Sequence, residues 1–249
     1  MDSQRQTPTL SRRMRAVADL VDAGDHVVDV GTDHGYIPIY LIKAGIARHV
    51  IALDVKEGPL LRARRHVRDF GCEEEIEVRF SDGLKNVSAQ EADTAILSGM
   101  GGPLIEKILT DGAEVAGQMK CLILQPQSEV ADVRKFLVQH GFSIRKEDMV
   151  EEDHKFYFLM KAVPGKSEDY ADYEYTYGKQ LLKERHPVLK DYLIWEQNML
   201  SRIEKDLPEE PESDRLRSRR AQLKEERAQN RKALAFFEEE ERSTDHAGK

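Results

Sequence analysis

Cysteine is scarce in this sequence. Only Cys72 and Cys121 occur among its 249 residues, with neither metal-ligand nor redox spacing. That excludes a disulfide scaffold and a zinc ribbon. Buried, reduced thiols in a cytoplasmic protein are the expectation. Long apolar runs are lacking as well. None approaches the roughly 18–20 residues needed to span a bilayer, so no membrane partner is expected. The polar stretch Met1–Thr9 contains no apolar segment and is not expected to act as a secretory signal. Net positive charge is the third absence. The formal net charge is −8, with 21 basic against 26 acidic residues up to Pro164 and 17 against 20 beyond it. No domain-wide cationic excess exists, so any nucleic-acid surface has to be a local patch. His, Cys and carboxylate residues do not cluster with metal-ligand spacing, and no metal is expected.

What is present is alternation. Short β-branched runs at His26–Val30, His49–Leu53, Glu75–Phe80, Thr94–Leu97 and Cys121–Leu124 are separated by helical stretches at Tyr36–Ala44, Gly58–Phe70, Pro103–Gly112 and Glu129–His140. An amphipathic helix over residues 10–22, capped by Ser11, precedes them. Phe142–Lys146 and Lys155–Ala162 read as a closing hairpin. This order predicts an α/β fold, a largely parallel sheet with helices on both faces. The domain is expected to occupy residues 1–164, and residues 165–249 a small all-helical unit. In that tail, residues 168–185 read as helix. Pro187 opens a second helix reaching about Leu207, Pro208 and Pro211 break it, and a third runs from about Glu212 to Glu241. Leu189, Leu193, Leu200, Ile203 and Leu207 on one helix face Leu216, Leu223, Leu234 and Phe237 on the other, a coiled-coil-like seam diluted by Arg220, Arg227 and Asn230. Residues 242–249 are expected to be a disordered end.

The most informative segment runs from Val27 to Tyr36, Val-Val-Asp-Val-Gly-Thr-Asp-His-Gly-Tyr: an apolar strand, a glycine turn, then a helix. Gly31 and Gly35 let the backbone approach a ligand at the carboxyl end of the first strand. About 20 residues on, Asp54 ends the second strand, where an acid accepts the ribose hydroxyls of an adenosine. Two cofactor classes fit a glycine turn with that acid. A dinucleotide lays a pyrophosphate over the turn; S-adenosylmethionine presents an ammonium and a sulfonium instead. Asp29 and Asp33 would repel the former and attract the latter, and Asp33 stands where the second glycine of G-x-G-x-x-G belongs. The methyl donor is therefore favoured. Ser81-Asp82-Gly83 after the third strand offers a carboxylate to an adenine amine. Ser98-Gly99-Met100-Gly101-Gly102-Pro103 after the fourth faces the same crevice, as does Gln125-Pro126-Gln127 after the fifth.

With these segments the chain resembles the bacterial tRNA (adenine(22)-N1)-methyltransferases over nearly its whole length. The motifs alike are Leu10-Ser11-Arg12-Arg13, Asp29-Val30-Gly31-Thr32-Asp33-His34, Gly58-Pro59-Leu60, Gly83-Leu84, Gly99-Met100-Gly101-Gly102, Leu122-Ile123-Leu124-Gln125-Pro126 and Lys183-Glu184. It departs at Gln127, where the family commonly has Asn, and at Gly35, where it commonly has Ala. The resemblance implies a Rossmann-like class I methyltransferase sheet followed by a helical, coiled-coil-like domain, with S-adenosylmethionine as donor and N1 of a D-arm adenine in tRNA as acceptor. The expected donor contacts are Asp29, Gly31, Asp33, His34, Asp54, Val55, Asp82, Gly83 and Gly99.

Adenine N1 keeps a lone pair and needs no deprotonation, so positioning carries most of the task. Asp33 is the first candidate to offset the charge gained by the base. His34, Tyr36 and the Gly99–Gly102 loop are expected to position the extruded base, with Tyr36, Met100 or Pro126 covering its face. Arg12, Arg13 and Arg15 are the expected RNA contacts. Arg62, Arg64, Arg65 and Arg68, and Arg215, Arg217, Arg219 and Arg220, are further clusters. A monomer or weak homodimer is expected. Methylation of a protein or small molecule, a dinucleotide-dependent oxidoreductase, and a non-catalytic adaptor remain the rival readings.

Overall fold

The structure, a computed structural model, describes residues 7–208 and 213–246, with side chains as far as Glu238. The chain divides into two compact units, Met1–Glu168 and Asp169–Lys249.

The first unit is built on a seven-stranded sheet. Its strands are β1 (His26–Val30), β2 (His49–Asp54), β3 (Ile76–Phe80), β4 (Thr94–Met100), β5 (Cys121–Pro126), β6 (Phe142–Glu152) and β7 (Lys155–Pro164). They lie in the order β3-β2-β1-β4-β5-β7-β6. The first five are parallel; β7 runs antiparallel to β5 and forms a hairpin with β6. The central strands are buried on both faces, which is why they read as continuous apolar runs. Val28, Ile51, Leu97 and Leu124 join one core; Val27, Val50, Ile96 and Ile123 join the other. The second core is covered by α1 (Arg12–Ala18), α2 (Tyr36–Lys43) and α3 (Glu57–Asp69), through residues such as Val17, Leu41 and Val67. The first is covered by α4 (Gly102–Asp111), α5 (Ala113–Gln118) and α6 (Val130–Gln139), through Ile105, Ala116 and Val133. From β1 the chain winds one way through β2 and β3 and then crosses back to β4. The carboxyl ends of β1 and β4 therefore flank a topological switch point, where open α/β sheets bind ligands.

Three elements differ from the expectation. Helix α1 is shorter, ending at Ala18, although Ser11 caps it by accepting the Met14 N–H. Helix α5 was not foreseen: it follows directly from Gly112, which separates it from α4. Strand β6 continues through Lys146 to Glu152. Its polar sequence hides the strand because Glu147 is buried against Arg134 of α6 at 2.7 Å.

The second unit comprises α7 (Asp172–Tyr177), α8 (Lys179–Lys183), α9 (Pro187–Asp206) and α10 (Asp214–His246). Gly178, at φ 94°, breaks the single helix expected over 168–185. Pro187 does stand in the first turn of α9. Helices α9 and α10 pack along one another through Leu189, Leu193 and Leu200 on one side and Leu223, Ala233 and Phe237 on the other. Asn230 is buried in this seam; its amide donates to the Leu193 carbonyl and to Glu196, each at 2.9 Å. Tyr177 donates to the same Glu196 at 2.7 Å. A polar pin of this kind fixes the register of paired helices, so Asn230 belongs to the seam rather than interrupting it. Pro211 and Glu212 lie outside the described residues. The end expected to be disordered is helical through His246, and residues 247–249 lie outside the described residues. Among the described residues, no helix is long and apolar enough to cross a membrane.

Candidate active site

The turn after β1 is held to β2 by two hydrogen bonds: the N–H groups of Gly31 and Thr32 both donate to the Leu53 carbonyl, at 2.8 and 2.9 Å. Gly31 has φ 79°, and a Cβ there would lie 2.8 Å from the Met100 Cε. Only glycine meets both demands without strain. Asp33 follows in the left-handed region, which aspartate tolerates better than most residues.

A crevice of about 550 Å³ opens above this turn at the switch point. Gly31, Asp33, Asp54, Val55, Asp82, Gly83, Gly99 and Met100, all singled out in the sequence, line it together. Asp54 accepts the Lys56 backbone N–H at 2.8 Å, which fixes its carboxylate at the end of β2. Asp82 forms a close ion pair with Lys85 that holds its carboxyl below the usual range. Ser81 braces that turn, donating to the Gly83 carbonyl at 2.7 Å. Asp29 lies beneath the floor, only 5% exposed. Burial pushes its carboxyl up to about 6, and the Asp54 carboxylate adds to the effect. Val55 and Leu104 line the crevice while half exposed, giving apolar walls that a flat ring would cover.

The rim beside β4 and β5 is organised around one atom. The Oε1 of the fully buried Gln125 accepts the Gly99 N–H at 3.2 Å, the Arg13 Nη1–H at 2.8 Å and the Gln127 Nε2–H at 3.2 Å. Gln127 also donates its backbone N–H to the Met100 carbonyl at 2.9 Å. A Cβ on Gly102 would lie 2.8 Å from the Ser128 carbonyl oxygen, so the glycine run lets two loops close on each other.

Residues 10–160 match the family described as Methyltransferase domain. The chain belongs to that methyltransferase family. The tRNA (adenine(22)-N(1))-methyltransferase of Bacillus subtilis is 36% identical to it over 156 residues, which is 63% of this chain and 66% of that protein. A solved structure of the B. subtilis M1A22 tRNA methyltransferase superposes with a TM-score of 0.81 at 28% identity, covering 91% of this chain and 99% of that one. A Streptococcus pneumoniae structure in complex with S-adenosyl-L-methionine gives a TM-score of 0.81 at 32% identity, covering 91% of this chain and 100% of that one.

Not every expected residue of the methyltransferase lines the crevice. His34 and Tyr36 stand beside it, their rings stacked at 5.6 Å, and both stack on His66. His66 Nδ1–H donates to the His34 carbonyl at 2.9 Å, tying α3 to the first turn. The three arginines of α1 do not act as one patch. Arg13 turns to the rim and lies over the Tyr157 ring at 5.6 Å; Arg15 pairs with Asp19 at 2.8 Å and covers Tyr40. Arg12 is exposed, its backbone N–H held by Glu152 at 2.6 Å. Sequence reasoning did not place Pro59, Arg62, Leu104 and Ile108 in the crevice of the methyltransferase. The signal was available: the first two turns of the helices that follow β2 and β4 border the carboxyl ends of those strands. At the opposite ends of the strands, Asp22, Asp25 and Cys121 approach one another. Lys161 and Thr94 already engage Asp22 and Asp25, each at 2.6 Å, so the cluster is internally compensated.

Proposed function

We propose that this methyltransferase transfers the methyl group of S-adenosylmethionine to N1 of the adenine at position 22, in the D arm of tRNA. The observation that carries the reading is the acidic glycine turn: Asp33 and Asp54 line one crevice at the switch point, with the buried Asp29 on the strand just before the turn. Such a site repels a pyrophosphate and attracts an ammonium and a sulfonium. Burial opposes ionisation of Asp29, and a cationic group placed above it would favour the charged carboxylate. Val55 and Leu104 fit the faces of an adenine, Asp54 its ribose and Asp82 its exocyclic amine. When bound, the donor supplies an electrophilic methyl on sulfur. The chain's own residues bind and orient. Asp33 stands at the mouth to offset the charge that moves to the base. His34, Tyr36, Met100 and the Gly99–Gly102 loop hold the base plane. Arg12, Arg13 and Arg15 are assigned to RNA, Arg13 from the rim itself. Residues up to Pro164 carry the chemistry and the helical unit after them assists docking. The protein acts in the cytoplasm as a monomer or weak homodimer, without metal.

The test is transfer of labelled methyl from S-adenosylmethionine to purified tRNA, followed by nucleoside mapping. N1-methyladenosine at position 22 is expected. Label in another base, or label that survives ribonuclease in protein, overturns the reading.

A further inference from the structure

We propose that Gln127 is the specificity residue that recognises the 6-amino group of the target base through its side-chain oxygen. Atoms that can only donate fix the orientation of both amides. The Gly99 backbone N–H and the Arg13 guanidinium have no acceptor capacity. Both point at one end of the Gln125 carboxamide, at 3.2 and 2.8 Å, so that end is the oxygen. Its amide nitrogen donates to the Pro126 carbonyl at 3.1 Å, which pins the other end. The contact from Gln127 at 3.2 Å ends on that same oxygen, so Gln127 must present its NH₂ there. The Gln127 Oε1 is thereby turned outward, and it has no partner among the described residues. Gln127 is exposed, and its backbone is locked to Met100, whose side chain lines the crevice.

The result is an oriented acceptor on the acceptor-side rim. With adenine N1 aimed at the methyl, the neighbouring edge atom is the 6-amino nitrogen, a pure donor. Guanine and uracil present a carbonyl oxygen at the equivalent place and would be repelled. The inference rests on adenine being the acceptor, and its test separates the two claims.

The experiment compares tRNA carrying adenosine at the target position with tRNA carrying purine riboside, which lacks the 6-amino group. Both are assayed with the wild-type protein, Gln127→Ala and Gln127→Glu. The intrinsic difference in N1 basicity is common to all three proteins, so the ratio of kcat/KM values isolates the contact. The wild-type preference for adenosine should exceed that of Gln127→Ala by about tenfold, the value of one hydrogen bond at a desolvated site. Gln127→Glu keeps an acceptor oxygen but loses the NH₂ that orients it on Gln125, so its preference should fall below that of wild type. Melting temperature and S-adenosylhomocysteine affinity should not change in Gln127→Ala. Equal preferences in wild type and Gln127→Ala overturn the proposal, and so does loss of donor affinity in parallel with rate. Absence of wild-type methylation on the adenosine tRNA would instead overturn the adenine assignment.

Discussion

Arg62 of α3 lies against Asp33 across the mouth of the crevice, in a close ion pair whose members both line it. The other carboxylate oxygen of Asp33 is 3.5 Å from His34 Nε2. Asp33 thus already has a cation at hand before any cationic ligand arrives. A donor that uses Asp33 competes with Arg62. The pair is substantially exposed, so the competition is worth no more than about 1 kcal/mol. Arg62→Met should therefore tighten S-adenosylmethionine binding by up to about fivefold in calorimetry. Weaker binding would show that Arg62 helps to hold the donor.

Asp33→Ala should separate binding from chemistry. If its carboxylate mainly offsets charge that appears on the base during transfer, kcat falls by about 100-fold while donor affinity falls modestly, by no more than about fivefold. Single-turnover rates at saturating donor read the first quantity, and calorimetry the second. An unchanged rate removes Asp33 from the chemistry.

Asp29 makes the site pH-sensitive. Its carboxyl is pushed up to about 6 by burial, against 3.8 for the free group. The sign follows from which state binds the proton more tightly. Well below pH 3.8 the group is protonated folded or unfolded, and burial carries no ionisation cost. As pH rises towards 6 the unfolded chain loses the proton first. Stability falls by about 3 kcal/mol and levels off above the folded value. Asp29→Asn removes this loss. It should melt higher than wild type at pH 8 and far less so at pH 4. A cationic donor favours the ionised form, so wild-type donor affinity should rise between pH 5 and 7.5 while that of Asp29→Asn stays flat.

Gly31→Ala should be costly twice over. The residue has φ 79°, and the added Cβ would lie 2.8 Å from the Met100 Cε. The backbone part is about 1–2 kcal/mol. Met100 is flexible and yields, but only by moving its tip within the crevice. Loss of donor binding is therefore expected, together with a modest fall in melting temperature. Adding Met100→Ala should restore part of the donor affinity and none of the backbone penalty.

The parts of this molecule that were legible in sequence are those where one physical demand acts alone. Strands β1, β2, β4 and β5 are buried on both faces, so their apolar runs had no competing reading. Gly31 and Asp54 announced themselves because a tight turn and an acid at a strand end tolerate few substitutes. Residues whose meaning depends on a distant partner were not legible. Glu147 looks like a surface residue until Arg134 is brought to it, and β6 was cut short for that reason. The arginines of α1 and α3 look equivalent in sequence. Only the packing of Val17 and Val67 turns Arg13 to the rim, and Arg62 to the crevice, while their neighbours face solvent. Asn230 read as a flaw in an apolar seam because its partners, the Leu193 carbonyl and Glu196, are far along the chain.

The Arg134–Glu147 pair gives the last prediction. Both side chains are fully buried, Nε to Oε1 at 2.7 Å, and the guanidinium lies 5.1 Å from the Phe158 ring centroid. The pair joins α6 to the β6–β7 hairpin, on the sheet side away from β1. Removing one partner strands a charge where water cannot reach it, at a cost of about 3–5 kcal/mol. Arg134→Met and Glu147→Leu should each lower the denaturation midpoint steeply. The double variant leaves no buried charge and should recover most of the loss, because two charges taken from water are a weak net source of stability. Donor affinity should stay unchanged wherever the variants remain folded, since the crevice lies at β1, β2, β3 and β4. A double variant as unstable as the worse single one would mean that shape, not charge, is what the pair supplies.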